Sequence, residues 1–438
     1  MAVFTRSLLC LPLALSLAAA PLCAEEAAPP AQPSRILLRA GHVLDVRTGK
    51  ETADETVIVS GDRIVGIAAT AATPKQGDDR EIDLTGMTVL PGLIDVHTHL
   101  TMDTNFEPYH ELSTSTAKSA LIGAHNAKAT LEAGFTTVRN VHAEAYSDVD
   151  LRDAINEGLI EGPHMQVSGP AIGITGGHCD DNLLPYQYHV QGGGVADGVE
   201  AVQHKVRETI KYGADVIKIC ATGGVLSKGD DPQASQFTLE EMKAIVADAH
   251  RLGRKVAAHA HGAQGMLWAT QAGVDSIEHA SYINDEVIKE MKARGTYMVP
   301  TAYLIDWIQQ YGKLPPFYAQ KMKDVSAVEK ANAKKAIAAG LKIALGTDAA
   351  VFPHGLNAHE LDVYVNQFGM TALAAIQSGT INAADLMGWS DRAGALETGK
   401  WADVIAVSGD PLKDVKLLQN VAFVMKAGTV YKGPGVPH

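Results

Sequence analysis

The chain reads as an α/β fold, with a closed parallel barrel favoured over an open sheet. Three observations carry this reading. Short apolar strands alternate with amphipathic helical stretches through the middle of the chain; several of those strands close on a polar residue; and both chain ends carry alternating strands with no helices between them.

In order along the chain, residues 1–24 read as a signal peptide: Arg6 precedes an apolar stretch at 7–19 that is too short to span a bilayer, and small residues lead to cleavage after Ala24. The mature protein is therefore expected to be exported, to the periplasm or beyond. Cys23 follows Ala20-Pro21-Leu22, a poor lipobox, so no lipid anchor is expected. Cleavage leaves Cys179 and Cys220; export permits a disulfide between them, while their separation in space stays open. Residues 25–34, rich in Ala, Pro and Glu, read as a flexible leader. Residues 35–46, 56–68 and 80–90 then read as short strands parted by turns such as Ser60-Gly61-Asp62. The first barrel strand is expected at 89–97 and later ones at 136–141, 165–170, 216–221, 255–259, 276–279, 297–301 and 343–348. Helical patterns such as 239–252 and 327–339 separate several of them, and strands at 399–407 and 421–428 follow the last.

The apolar strand before His97-Thr98-His99 is the most informative stretch. Side chains two apart on a strand share a face, so both imidazoles project together, and from the C-terminal end of a barrel strand they enter the pocket where such a fold places its chemistry. Four further apolar runs carry or end in polar residues: Lys218 in Val216-Ile217-Lys218-Ile219, His259 after Ala257-Ala258, His279 after Ile277-Glu278, and Asp348 after Gly346-Thr347. Together they suggest one metal site. Composition agrees with a small-molecule enzyme. The 438 residues suffice for a barrel and a smaller domain, 46% are hydrophobic, and the formal charge of -13 opposes binding to nucleic acid or an anionic membrane.

These residues closely resemble the amidohydrolase superfamily, from about Arg35 to Lys432. The resemblance implies a (β/α)8 barrel over 91–390 and a small β-sandwich built from residues 35–90 and 391–438, with Gly399-Lys400-Trp401-Ala402-Asp403 similar to the family's Gly-x-x-Ala-Asp turn. It implies that His97, His99, Lys218, His259, His279 and Asp348 bind two divalent ions, zinc by default. His261 would share a face with His259 if that strand continues and so is not excluded by the sequence; the offset to His279 and the resemblance favour His259. Burial and like charge oppose an ammonium beside two cations, and conversion of Lys218 to a carbamate, also implied by the resemblance, resolves that conflict. A mononuclear site would lack this lysine.

By the same resemblance, a metal-bridging hydroxide attacks an amide or peptide carbonyl, and Asp348 takes its proton and passes it to the leaving nitrogen. His178, after Gly176-Gly177, is expected to contact the substrate carbonyl or carboxylate, with Gly223 and Gly224 lining the pocket and His142 and Tyr303 gripping a carboxylate. The branch most similar is the prolidase-like group: Xaa-Pro dipeptidases, N-acyl amino acid hydrolases and enzymes that hydrolyse ochratoxin A. A small-molecule amide or peptide that releases an amino acid with a free carboxylate is therefore the expected substrate, and no membrane partner is expected after signal cleavage. Homo-oligomers are compatible with the sequence. The enzyme alternative is a cyclic-amide hydrolase of the imidazolonepropionase type, disfavoured by Lys218 and the export signal. The non-enzyme alternative, a metal-free structural protein on this fold, is disfavoured by the complete ligand set.

Overall fold

The computed structural model describes residues 34–107 and 109–436. The expected signal peptide (1–24) and, apart from Ser34, the leader (25–34) lie outside these residues. Five strands come first: β1 (Arg35–Asp45), β2 (Lys50–Ala53), β3 (Glu55–Ser60), β4 (Arg63–Ala69) and β5 (Arg80–Pro91). The apolar run at 89–97 is divided rather than forming one strand. A β-carbon on Gly92 would lie 2.1 Å from Thr136 Oγ1, so the chain passes too close to its neighbour for any side chain there, and the break ends β5.

Seven strands follow: β6 (Leu93–Thr98), β7 (Phe135–Asn140), β8 (His164–Val167), β9 (Val216–Cys220), β10 (Lys255–Ala260), β11 (Ser276–His279) and β12 (Tyr297–Val299). They pair in parallel as two sheets, β6-β7-β8 and β12-β11-β10-β9. The sheets are linked at both edges. Beyond β8, Ile172 N donates to Lys218 O at 2.8 Å. At the other edge lie residues 343–348, expected as the eighth strand. They form only an isolated bridge, Met298 to Ile343, yet their backbone is shared between β12 and β6: Ala344 N donates to Met298 O at 3.1 Å and Val96 N to Leu345 O at 2.9 Å.

Alternation sorts the strand residues into two layers. Ile217, Ile219, Val256, Ala258, Ile277 and Met298 are buried in one cluster with Val202, Val206, Met242, Ile245, Met266, Val287 and Met291 of the surrounding helices. Each such side chain contributes about 1.5–3 kcal/mol by leaving water. Lys218, Ala257, His259, Ser276 and Glu278 take the opposite face, in register with one another. The helix expected at 239–252 forms at Leu239–Arg251, started by a capping box in which Thr238 and Glu241 satisfy each other's backbone N–H. The one expected at 327–339 forms at Glu329–Ala338. Among the described residues no helix is long and apolar enough to cross a membrane.

The chain then returns to its start. Strands β13 (Val404–Val407), β14 (Phe423–Lys426) and β15 (Thr429–Lys432) join the first five in a single sheet ordered β15-β14-β13-β5-β1-β3-β4, with β2 on β1. The sheet bends back on itself: Ile64 N donates to Lys400 O at 2.9 Å and Gly399 N to Ile64 O at 2.8 Å. The bend encloses a separate core of Leu38, Val57, Ile64, Val404, Phe423 and Met425, drawn from both chain ends.

Candidate metal centre

Strand ends bring the expected ligands together. On β6, Asp95 and His97 share the inner face, and His99 follows just beyond the strand. His97 Nε2 lies 3.5 Å from Lys218 Nζ and 3.3 Å from Asp348 Oδ1, and His99 Nε2 lies 2.9 Å from the same carboxylate oxygen. The ring of His279 stands 5.0 Å from that of His97, 4.6 Å from His259 and 4.9 Å from His261. Two groups result, His97 with His279 and Asp348, and His259 with His261 and His279; within each, the ligand atoms all lie within 4.8 Å of one another. His279 belongs to both. His261, which the sequence left open, is thus placed beside His259 rather than away from it.

Backbone conformation completes this convergence. Glu278 faces inward, so simple alternation would turn His279 outward; instead His279 has φ 68°, which swings its ring back inside. Asp348 has φ 60° and Thr301, whose Oγ1 lies 2.8 Å from His279 Nδ1, has φ 52°. Such left-handed positions outside glycine gather where a site requires them.

The electrostatics fit a cation. Burial pushes His99 down to about 4 and His261 to about 3, and holds His259 and His279 well below the ordinary imidazole range, so these rings present neutral nitrogens. Burial also lowers the Lys218 amine to about 8. For Asp348, burial acts to raise the carboxyl, but His97 and His99 against it hold it well below the usual carboxylate range. Buried imidazole nitrogens and an ionised carboxylate with few donors between them are the donor chemistry that zinc and similar divalent ions accept.

Comparison with known proteins gives the family. The sequence pattern of the amidohydrolase family matches residues 88–433. The chain belongs to the amidohydrolase family. Ochratoxinase of Aspergillus niger is 38% identical over 375 residues, covering 80% of this amidohydrolase and 76% of that protein. The crystal structure of a Xaa-Pro dipeptidase with bound methionine in its active site superposes with a TM-score of 0.87 at 38% identity, covering 91% of this chain and 100% of the other. That of A. niger ochratoxinase gives 0.83 at 33% identity, covering 93% and 97%. The amidohydrolase lies in the branch that holds ochratoxinase and the prolidase-type dipeptidases.

The remaining expected site residues of the amidohydrolase divide into two sets. His178 is with the cluster: its ring centroid is 4.1 Å from that of His259 and its Nδ1 is 2.9 Å from Ser227 Oγ. Gly223 O lies 3.3 Å from His259 Nε2, and a β-carbon on Gly224 would lie 2.2 Å from His178 Nδ1, so both glycines back these rings. Cys179 and Cys220 form a disulfide with Cα atoms 6.1 Å apart, tying the residue after His178 to the end of β9. His142 sits at the rim, 6.3 Å from the His99 ring, with Nδ1 accepting from Ala171 N and Nε2 3.4 Å from Glu144. Tyr303 is not brought to the imidazoles; its ring stacks on His359 and meets Phe352 edge-on.

Sequence reasoning assigned no role to the residues that hold the ligands. Arg139 Nη2 donates to Glu278 Oε1 at 2.9 Å and to Ser276 Oγ at 3.2 Å, and its Nε donates to Val96 O. Burial acts to raise the Glu278 carboxyl, yet Arg139 and His97 bring it down to about 2. Asp95 accepts from His97 N, Thr347 and Asn357, pinning β6 to the run that carries Asp348. Charges inside otherwise apolar strands, Arg139 and Glu278, were the available signal.

Proposed function

We propose that this amidohydrolase cleaves an amide or peptide bond and releases an amino acid with a free carboxylate, from a dipeptide, an Xaa-Pro dipeptide, an N-acyl amino acid or an ochratoxin A-type amide. The observation that carries the reading is the pair of ligand groups joined through His279. The likeness to ochratoxinase and a Xaa-Pro dipeptidase supports the substrate class. The backbone links at both sheet edges support closure of the parallel strands, with 343–348, as a (β/α)8 barrel, the fold that gathers strand ends at one mouth.

His97, His99, Lys218, His259, His279 and Asp348 would hold two divalent ions, zinc first, with Lys218 as its carbamate. Bound there, the ions supply Lewis acidity and lower the pKa of water toward neutrality. Lys218 stands beside His97 Nε2 with its amine shifted toward the neutral form, the form that adds to carbon dioxide. Asp348, ionised at neutral pH, accepts a proton on a carboxylate oxygen and delivers it to the leaving nitrogen. His178 orients the amide. The Cys179–Cys220 disulfide supports an exported, oxidising location.

The test is a panel of dipeptides, Xaa-Pro dipeptides, N-acyl amino acids and ochratoxin A, offered to the metal-loaded mature enzyme as free acids and as carboxyl amides. Hydrolysis of free acids at least about tenfold faster than of the matching amides, the size of a charged hydrogen bond, is the expected result. Equal rates on acid and amide would overturn the assignment.

A further inference from the structure

The imidazole of His178 is held by a chain of polar groups that the reaction itself does not require. Its Nδ1 lies 2.9 Å from Ser227 Oγ, and Ser227 Oγ lies 2.7 Å from Asp230 Oδ1 and 3.3 Å from Gly224 O. Asp230 is fixed in turn: Lys321 Nζ donates to its Oδ1 at 2.6 Å, and Gly224 N donates to its Oδ2 at 2.9 Å. Lys321 also donates to the carbonyls of Gly224 and Ser227, so an ammonium from the helix Pro316–Ser326 clasps the whole loop.

A serine hydroxyl has one hydrogen. Both acceptors near Ser227, the Asp230 carboxylate and the Gly224 carbonyl, lack hydrogens of their own, and two bare oxygens 2.7 Å apart would repel. The hydroxyl hydrogen therefore goes to Asp230 Oδ1, and Oγ turns a lone pair toward His178. Nδ1 must then carry the hydrogen between the two residues. In the neutral ring this leaves Nε2 bare, and among the described residues Nε2 has no hydrogen-bond partner.

We propose that Asp230, anchored by Lys321, is a positioning residue that acts through Ser227 to fix His178 as its Nδ1–H tautomer, so that Nε2 accepts a hydrogen bond from the substrate's amide N–H. The inference rests on the hydrolase reading above and narrows it. A bare Nε2 cannot donate to a carbonyl or carboxylate, the role the sequence suggested for His178. The ring lies against His259, beside the reacting centre, and the N–H that every secondary amide carries there is the scissile one. Secondary amides are thus favoured over N-alkylated ones, prolyl amides included.

Two measurements test this. Nitrogen-15 spectra of histidine-labelled, metal-loaded enzyme, with His178→Gln to assign the signals, should show a protonated Nδ1 and an unprotonated Nε2 for His178. Ser227→Ala should lose that fixed tautomer, and Ser227→Thr, which keeps the hydroxyl, should restore it. An Nε2–H tautomer in the native enzyme, or an unchanged spectrum in Ser227→Ala, would overturn the relay. The second readout is kcat/KM on an N-acyl amino acid against its analogue methylated at the scissile amide nitrogen, the carboxylate kept free. The native enzyme should prefer the secondary amide by about tenfold, the size of one hydrogen bond, and Ser227→Ala should narrow that preference while Ser227→Thr retains it. Equal rates on the pair in the native enzyme would overturn the acceptor role. Failure to hydrolyse any amide would overturn the function proposed above, and the spectra alone would then decide the relay.

Discussion

Oε2 of Glu278 lies 2.8 Å from Nδ1 of His97, which assigns the ring hydrogen to Nδ1 and leaves Nε2 free toward Lys218 and Asp348. In Glu278→Gln, Arg139 will draw the amide oxygen to itself, and the amide NH2 will then face His97 and reverse its tautomer. Metal affinity should fall about 10–100-fold, measured by competition with a chelator, with the fold retained. Unchanged affinity would show that the carboxylate does not orient this ligand.

Lys218 is the sharpest probe of the two-ion reading. Native enzyme should carry close to two divalent ions per chain, and Lys218→Ala should retain less metal and lose most activity. A short carboxylic acid in the buffer should restore part of it by occupying the place of the carbamate. Full activity with one ion bound per chain, read by elemental analysis alongside turnover, would contradict the prediction.

The disulfide closes a loop with a sequence separation of 41 residues that includes Lys218 and begins at the residue after His178. Replacing both Cys179 and Cys220 by Ser should lower unfolding free energy by about 2–4 kcal/mol, read from denaturant curves. KM should rise more than kcat falls, because the residue after His178 loses its covalent tie to the end of β9.

A buried carboxyl away from the ligands sets a pH dependence of stability. Glu360 accepts from Ala302 N and Tyr303 N, both at 2.7 Å, and burial, with Asp95 nearby, raises its carboxyl to about 8 from an ordinary 4.5. Between those values the folded chain keeps a proton that the unfolded chain has released, so stability falls as pH rises through this window. Tm should decline by a few degrees from pH 5 to pH 8, and Glu360→Gln should flatten that slope whatever its absolute Tm. An identical slope in the variant would remove Glu360 as the cause.

What the sequence made legible followed from short-range rules. The period of two on a strand predicted that His97 and His99 act together, and apolar runs ending in Lys218, His259, His279 and Asp348 marked the other strand ends. The holding groups were hidden because their partners are remote: Glu278 meets His97 and Arg139 across 181 and 139 residues. His279 shows a different gap. No periodicity predicts a φ of 68°, yet that single torsion brings the ring inside. Likewise residues 343–348 read as a strand, but the left-handed turn at Asp348 and the irregular pairing depend on neighbours supplied by β6 and β12.

The pairing of Val404 with Pro91 and of Ala406 with Val89 has a consequence for the order of assembly. A chain made from its N-terminus onward finishes β1 to β5 early, with one long edge of backbone N–H and C=O groups open and part of the enclosed core, Val404, Phe423 and Met425 among it, still to be synthesised. Along the chain the parallel strands β6 to β12 fall between the two halves of that sheet, so the last few dozen residues act as a clasp that completes it after everything else is made. A chain cut short before residue 404 retains every metal ligand named above and yet presents a bare strand edge, which makes aggregation rather than simple loss of catalysis its expected fate.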